Sequence, residues 1–219
     1  MQVAIDGPAG AGKSTIAKAA AKALGFVYID TGAMYRAVGL YVVRKGLDTK
    51  IKEDVVSVLD EIEISISYDE SGQQIFLNGE NVSEDIRLPE ISVAASDVAV
   101  IAEVRAKLLQ MQRKLASEND VIMDGRDICS YVLPEAEVKV FLTASLEARA
   151  ERRYKQLLEK GTECDLEQIK IDMEWRDKND SQREVAPLKQ ADDATHLDTS
   201  NLTLEESINA LVGLIKGDK

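Results

Sequence analysis

The chain has 219 residues and a formal net charge of −12; 45% of its residues are hydrophobic and 5% are aromatic. This length suffices for one α/β domain, and the apolar fraction indicates a folded, aliphatic core rather than a disordered chain. The acidic balance argues against a general binder of nucleic acid or of anionic membranes, because those partners are themselves negatively charged.

Targeting and cysteine patterns narrow the class of protein further. No apolar run reaches membrane-spanning length, and the N-terminus predicts a buried strand rather than a signal peptide. Cys129 and Cys164 form neither a disulfide framework nor a metal-ligand pattern, which favours a reducing cytoplasm. His196 is the single histidine, so Ser/His catalysis is not expected. We expect a cytoplasmic monomer.

The first motif in the chain lies at residues 7–15 and reads Gly-Pro-Ala-Gly-Ala-Gly-Lys-Ser-Thr. It matches the phosphate-binding template G-x-x-x-x-G-K-[ST] at Gly7, Gly12, Lys13 and Ser14. The apolar residues 3–5 before it predict a buried strand, and the Ala-rich residues 14–24 after it predict a helix. Backbone N–H groups of the loop and the helix N-terminus would then bind phosphate.

The loop predicts binding of a nucleoside triphosphate with Mg²⁺. Lys13 would reach the β- and γ-phosphates, and the Ser14 hydroxyl would bind the metal. The predicted nucleotide-binding residues of this loop are Gly7, Pro8, Ala9, Gly10, Ala11, Gly12, Lys13, Ser14 and Thr15.

The next part of the chain predicts a second strand, a helix and an antiparallel insert. A buried strand is predicted at residues 26–29, followed by a helix at 33–45 that Gly46 ends. Residues 62–68 alternate between apolar and polar, as in a half-buried strand. A turn at 69–72, a strand at 75–77 and an Asn78-Gly79 hairpin turn complete the insert.

Alternating helices and strands make up the rest of the chain. Residues 91–115 have helical apolar spacing, and buried strands follow at 121–124 and 138–142. The last predicted elements are a helix at 146–160, a helix at 166–183, a strand at 195–198 and a helix at 204–215. These elements predict an α/β fold with a doubly wound, five-stranded parallel sheet. Its ligand-binding edge would carry Gly7, Asp30 and Asp124.

Arginines near these strand ends predict a second phosphate site. Arg36 lies one helical turn past Asp30, and Arg126 follows Asp124, so both could fork onto phosphate. Asp124 would order Mg²⁺, or would simply cap its strand.

Two later helices also carry arginines. Arg176, Asp180 and Arg183 share one predicted helix face, and Arg149, Arg152 and Arg153 share another. Either these faces are solvated and salt-bridged, or they belong to a lid whose tip is residues 159–163 and which excludes water.

The nature of the acceptor separates two kinds of kinase. A phosphate acceptor is already ionised at neutral pH and needs no general base. An alcohol acceptor would need one, and Asp127 could serve.

Taken together, these residues resemble the bacterial type of the cytidylate kinase family of P-loop nucleoside monophosphate kinases. The resemblance covers essentially the whole chain, including the insert at about 61–96. Beyond the loop it rests on residues 30–32, 35–36, 94–96, 104–105, 124–127, 151–153, 176–177, 180, 183 and 186–188. It implies Mg²⁺-dependent phosphoryl transfer from ATP to CMP or dCMP, with no nucleic-acid or membrane partner.

The resemblance also implies roles for single residues and a division of the chain. The cytosine edge would be bound by Ser96, Arg105 and Asp127, and the ribose by Asp180 and Arg176. The acceptor phosphate would be bound by Arg36, Arg126 and Arg183, near Thr31, and the donor phosphates would be met by Arg152 and Arg153. Within one domain (1–219), the core would be 1–30, 116–148 and 166–219, the acceptor region 31–115 and the lid 149–165.

Two local features test the resemblance. Ser96 and Arg105 are nine residues apart, about 180° around a continuous helix, so we predict a break near residues 101–102. Cys129 follows the Arg126 segment, where its pKa could be lowered by the arginine, or it could be an inert thiol.

Two alternatives remain open at this point, and a third is disfavoured. A kinase for UMP, AMP or another small acceptor shares the loop, and a non-catalytic nucleotide-binding module would bind without turnover. A GTP-binding switch protein would need an Asn-Lys-x-Asp motif, which this sequence does not contain. The relative use of CMP, dCMP and UMP is also left open.

Overall fold

The computed structural model describes residues 1–69, 72–159 and 161–217. The predicted turn at 69–72 includes Glu70 and Ser71, and the predicted lid tip includes Lys160; these three residues lie outside the described ones. The chain forms two compact units, one made of Met1–Tyr28 and Asn119–Lys219 and the other of Ile29–Glu118. Within the described ranges, every helix is too short or too polar to cross a bilayer.

The strands in the described residues are β1 (Gln2–Asp6), β2 (Val27–Asp30), β3 (Ile64–Asp69), β4 (Gly72–Leu77), β5 (Glu80–Asn81), β6 (Val121–Asp124), β7 (Val138–Thr143) and β8 (Thr195–Asp198). The α-helices there are α1 (Lys13–Leu24), α2 (Thr31–Arg44), α3 (Lys52–Val58), α4 (Pro89–Val98), α5 (Ala102–Glu118), α6 (Leu146–Glu159), α7 (Leu166–Gln182) and α8 (Leu204–Lys216). Short 3₁₀ turns lie at Leu59–Glu61 and Asp85–Arg87, and a single π-helical turn lies at Ile128–Val132.

The predicted five-stranded parallel sheet is confirmed, with the order β2-β6-β1-β7-β8. β1 is central and pairs in parallel with β6 and β7, and β7 pairs in parallel with β8. Val3, Ile5 and Leu142 of these strands are fully buried. Near-continuous apolar strands are typical of a sheet covered on both faces. Here α1 and α8 contribute Ile16 and Leu211 to the same core.

The second unit contains the antiparallel sheet β3-β4-β5, as predicted for the insert. Asn78 and Gly79, between β4 and β5, both have positive φ, at 51° and 84°. These are the conformations that a tight hairpin turn of this kind requires. The apolar residues of the sheet and of α2, α4 and α5 form one core.

The predicted break in the long helical segment is confirmed, because α4 ends at Val98 and α5 begins at Ala102. The Ile101 amide donates to the Val98 carbonyl at 3.1 Å, closing a tight turn between the helices. Among the other boundaries that differ from prediction, two bear on the site. α2 begins at Thr31 because the Asp30 side chain accepts from the Ala33 amide and caps it there. α7 ends at Gln182, and Arg183 has extended backbone angles.

Candidate active site

The phosphate-binding loop joins β1 to α1 and is held tightly against β7. A Cβ atom at Gly7, whose φ is 150°, would lie 1.9 Å from the Leu142 carbonyl oxygen. Glycine is therefore required where the chain leaves β1. Gly12, with φ of 88°, ends the loop as the N-cap of α1.

Lys13 is the first residue of α1, and its side chain turns back into the loop. Its Nζ donates to the carbonyl oxygens of Gly7 and Pro8, both at 2.8 Å. Burial, and then the positive charge of Arg126, lower the pKa of Lys13 to about 7, while nearby carboxylates act in the opposite direction. The negative charge of a phosphate bound here would raise the pKa of Lys13 again.

Ser14 and Asp124, which the sequence predicted as oxygen ligands for Mg²⁺, lie within hydrogen-bond distance of each other. Ser14 Oγ donates to Asp124 Oδ2 at 3.0 Å, and the Tyr28 hydroxyl donates to Asp124 Oδ1 at 2.7 Å. Asp124 is 4% exposed and ends β6 directly beside β1. A hydroxyl and a carboxylate held together in this way fit the oxygen ligands that Mg²⁺ prefers.

Asp6, at the end of β1, is a residue that sequence reasoning missed. Its two carboxylate oxygens accept from the amides of Ile128 at 2.7 Å and Cys129 at 2.8 Å. Burial raises the pKa of Asp6 to about 6 against the opposing effect of these two hydrogen bonds. Asp6 thus anchors the turn that follows Arg126 and Asp127. The one sequence signal for it was an acid at the end of an otherwise apolar strand.

The predicted acceptor residues of the first unit form two ion pairs. Arg126 Nε contacts Asp180 Oδ2 at 2.8 Å, and Arg183 Nη2 lies 3.4 Å from Asp127 Oδ1. Burial raises the pKa of Asp180, but the charge and hydrogen bond of Arg126, together with the charges of Arg183 and Arg176, bring that pKa below its usual value. Arg183 lies just past α7 rather than on its face, yet its guanidinium remains close to Asp127.

The arginines of α6 differ from one another. Arg149 is 6% exposed, so the alternative that all three lie on a solvated face is wrong for this residue. Arg152 is half-buried and donates to the Thr199 carbonyl and hydroxyl, whereas Arg153 is exposed. Arg176, on α7, is half-buried.

Cys129 has no lowered pKa, so that hypothesis is wrong. Its side chain is 2% exposed, and Sγ donates to the Ala4 carbonyl at 3.4 Å. Burial, and then the negative charge of Asp6, raise the pKa of the Cys129 thiol well above its usual value. The thiol points toward β1 and is inert.

The second unit carries the other four predicted acceptor residues. Thr31 and Arg36 lie at the start of α2, where Arg36 Nη1 is 3.5 Å from Asp30 Oδ2. Ser96, on α4, donates to the Ser92 carbonyl at 3.3 Å. Arg105, on α5, is 2% exposed; it donates to the Ala99 carbonyl at 3.4 Å, across the break, and its Cζ lies 5.9 Å from the centre of the Tyr35 ring. The break therefore lets Arg105 reach the end of the helix that carries Ser96.

Comparison with known proteins identifies the family. The sequence profile described as cytidylate kinase matches residues 3–217. The chain belongs to the cytidylate kinase family. It is 51% identical over 214 residues to a cytidylate kinase of Caldicellulosiruptor saccharolyticus, covering 98% of this chain and 95% of that protein. It is 48% identical to a cytidylate kinase of Bacillus thuringiensis, covering 99% and 96% respectively.

Solved structures agree on the fold. An uncharacterised protein from Eubacterium ventriosum aligns with 100% of this chain and 98% of its own, at a TM-score of 0.52 and 13% identity. A likeness at this identity concerns the fold alone. Membership of the cytidylate kinase family rests on the sequence matches.

Proposed function

We propose that the protein transfers the γ-phosphoryl group of ATP to CMP or dCMP, giving ADP and CDP or dCDP. The observation that carries the proposal is the Lys13 loop with the Ser14–Asp124 pair, in a member of the cytidylate kinase family. The chain matches the two named relatives, which are both cytidylate kinases, along nearly their whole length.

The donor site follows from the loop. Amides of the loop and of the first turn of α1 bind the phosphates of ATP, and Lys13 exchanges the Gly7 and Pro8 carbonyls for phosphate oxygens. Ser14 and Asp124 would hold Mg²⁺, which when bound neutralises charge on the transferring group. Arg152 and Arg153 belong to the lid and meet the donor phosphates.

The acceptor phosphate is assigned to Arg36, Arg126 and Arg183. Each of these arginines already faces a carboxylate at 2.8 to 3.5 Å. A phosphate dianion offers more oxygens and more charge than a carboxylate, so it can take over these guanidinium donors. The arginines would then stabilise the charge that spreads over the transferring group.

The base and ribose are assigned to the remaining residues. Once Arg183 turns to phosphate, Asp127 can accept from the cytosine amino group, and Ser96 and Arg105 bind the same edge. Uracil has a carbonyl in place of that amino group, which a buried carboxylate disfavours. Asp180, with Arg176, holds the ribose, and Thr31 is a further substrate contact.

No general base is required in this mechanism, because the acceptor oxygen is already ionised. Asp127 therefore serves recognition rather than proton transfer. This distinguishes the proposal from a kinase that acts on an alcohol.

The test is formation of ADP from ATP and Mg²⁺ with CMP, dCMP, UMP and AMP in parallel, with Lys13→Ala as control. Turnover chiefly with CMP and dCMP, lost in the control, supports the proposal. Turnover with UMP or AMP instead would retain the donor loop but reject the cytosine assignments. Binding of ATP without turnover of any of the four acceptors would favour the non-catalytic module.

A further inference from the structure

The apex of the phosphate loop is held by two charged side chains that the proposed mechanism does not use. Arg149, from α6, donates through Nη1 to the Ala9 carbonyl oxygen at 2.8 Å. Asp177, from α7, accepts from the Ala9 amide through Oδ1 at 3.2 Å. Both backbone groups of one loop residue are thus bonded to side chains from helices far along the chain.

The two side chains also bind each other. Arg149 Nη1 lies 2.7 Å from Asp177 Oδ2, and Arg149 Nε donates to the Ala144 carbonyl at 3.0 Å. The Arg149 side chain is 8% exposed and that of Asp177 is 23% exposed. A charge-assisted pair at this depth is stronger and more directional than a pair in water.

Neither residue is suited to bind the nucleotide directly. Asp177 would repel phosphate, and Arg149 neutralises it. The Arg149 guanidinium is buried and already donates to two carbonyl oxygens and one carboxylate. The Ala9 amide points to Asp177, which leaves the later amides of the loop for phosphate. These contacts identify Arg149 and Asp177 as positioning residues.

α7 packs on the loop at a second point. A Cβ atom at Gly10 would lie 2.7 Å from Cε of Met173, one helical turn before Asp177. Asp180 pairs with Arg126 further along the same helix. One helix therefore contacts both the donor loop and the segment that carries Arg126.

We propose that Arg149 and Asp177 couple the donor loop to α7, so that nucleotide in the loop improves the alignment of Arg176 and Asp180 for the acceptor. This rests on the proposed function for the acceptor. If α7 moves when the loop is empty, the loop apex must move with it, because Ala9 is bonded to α7 on one side and to α6 on the other.

The test uses the full-length protein with Asp177→Asn and Asp177→Ala, and Asp172→Ala as the matched control. Asp172 is exposed on the same helix and bonds to Gln168 rather than to the loop. Affinity for ADP with Mg²⁺ is measured by calorimetry, without any acceptor. We expect ADP to bind roughly tenfold more weakly to Asp177→Ala, with Asp177→Asn between it and wild type.

The second arm measures CMP affinity with and without ADP bound. In the wild type and in Asp172→Ala, ADP should strengthen CMP binding, and in Asp177→Ala this gain should be lost. An unchanged gain in Asp177→Ala would overturn the proposal, as would ADP affinity within twofold of wild type despite a lower melting temperature. Absence of CMP binding in the wild type would contradict the proposed function instead. In that case the ADP affinities would still test whether Asp177 positions the loop.

Discussion

Asp6 provides a quantitative test of how the core of the first unit responds to pH. Burial raises its pKa from 3.8 to about 6, despite hydrogen bonds from the amides of Ile128 and Cys129. The folded state therefore keeps the Asp6 proton over a pH range in which the unfolded chain has released it. The free energy of unfolding falls as the pH rises through that range.

The size of the effect on the free energy of unfolding follows from the change in the pKa of Asp6. A change of 1 in pKa corresponds to about 1.36 kcal/mol, so ionisation of Asp6 costs the folded state about 3 kcal/mol in all, of which about 2.4 kcal/mol is lost between pH 4 and 7. Asp6→Asn has the same shape and never ionises. We therefore expect the variant to gain about 2.4 kcal/mol relative to wild type over this interval, whichever protein is the more stable at pH 4.

The assay is urea unfolding of both proteins at intervals from pH 4 to 7, monitored by circular dichroism. Comparing the two proteins cancels the other titrating groups, and Asp172→Asn controls for the loss of an exposed carboxylate. A difference between wild type and Asp6→Asn that stays constant with pH would refute the reasoning. It would show that the two hydrogen bonds donated by the backbone amides of Ile128 and Cys129 keep the Asp6 carboxylate ionised in the folded protein.

Three further predictions follow from individual contacts. Gly39→Ala would place a Cβ 3.0 Å from Ala94, so the substitution should lower the free energy of unfolding by about 1–3 kcal/mol in a thermal unfolding experiment. Gly213→Ala lies in open space on α8 and should instead raise that free energy by about 0.5–1 kcal/mol. Equal effects of the two substitutions would contradict this account of the α2–α4 contact. Asp127→Asn should lower kcat/KM for CMP roughly 10–100-fold and raise the ratio of UMP to CMP turnover; an unchanged ratio would remove Asp127 from base recognition. Cys129 should react with a thiol reagent far more slowly than Cys164 and at a rate unaffected by CMP, because it is 2% exposed; rapid labelling that CMP suppresses would contradict its burial.

Much of the fold was accessible from the sequence because its signals are local. The strands at 121–124 and 195–198 were predicted with their observed bounds, and the first of them is a short apolar run between polar segments. The helix break was predicted from the resemblance and helix geometry together, because the resemblance implies a joint role for two residues that a continuous helix would place on opposite faces. The helix α3 was missed, since seven residues carry little periodicity.

Long-range contacts were harder to predict than local elements. Nothing near Arg149 in the sequence indicates that it binds Ala9, because the contact depends on how α6 and α7 pack. Asp6 likewise gains its partners from residues 128 and 129. For Cys129 the sequence suggested proximity to Arg126, but the side chain turns the other way. Proximity in sequence does not fix the direction of a side chain.

The central place of β1 in the sheet has a consequence for how the protein is made. Ile5 pairs with Asp124 and Asp6 with Phe141, so the strand that leads into the nucleotide loop finds its neighbours only in the second half of the chain. During synthesis, the loop proposed to bind phosphate is made well before the two strands that flank β1, so it cannot be held in place until β6 and β7 have also been made. If ATP binds this loop as proposed, it can stabilise only chains that already contain both neighbouring strands, while shorter nascent chains must stay unaggregated without its help.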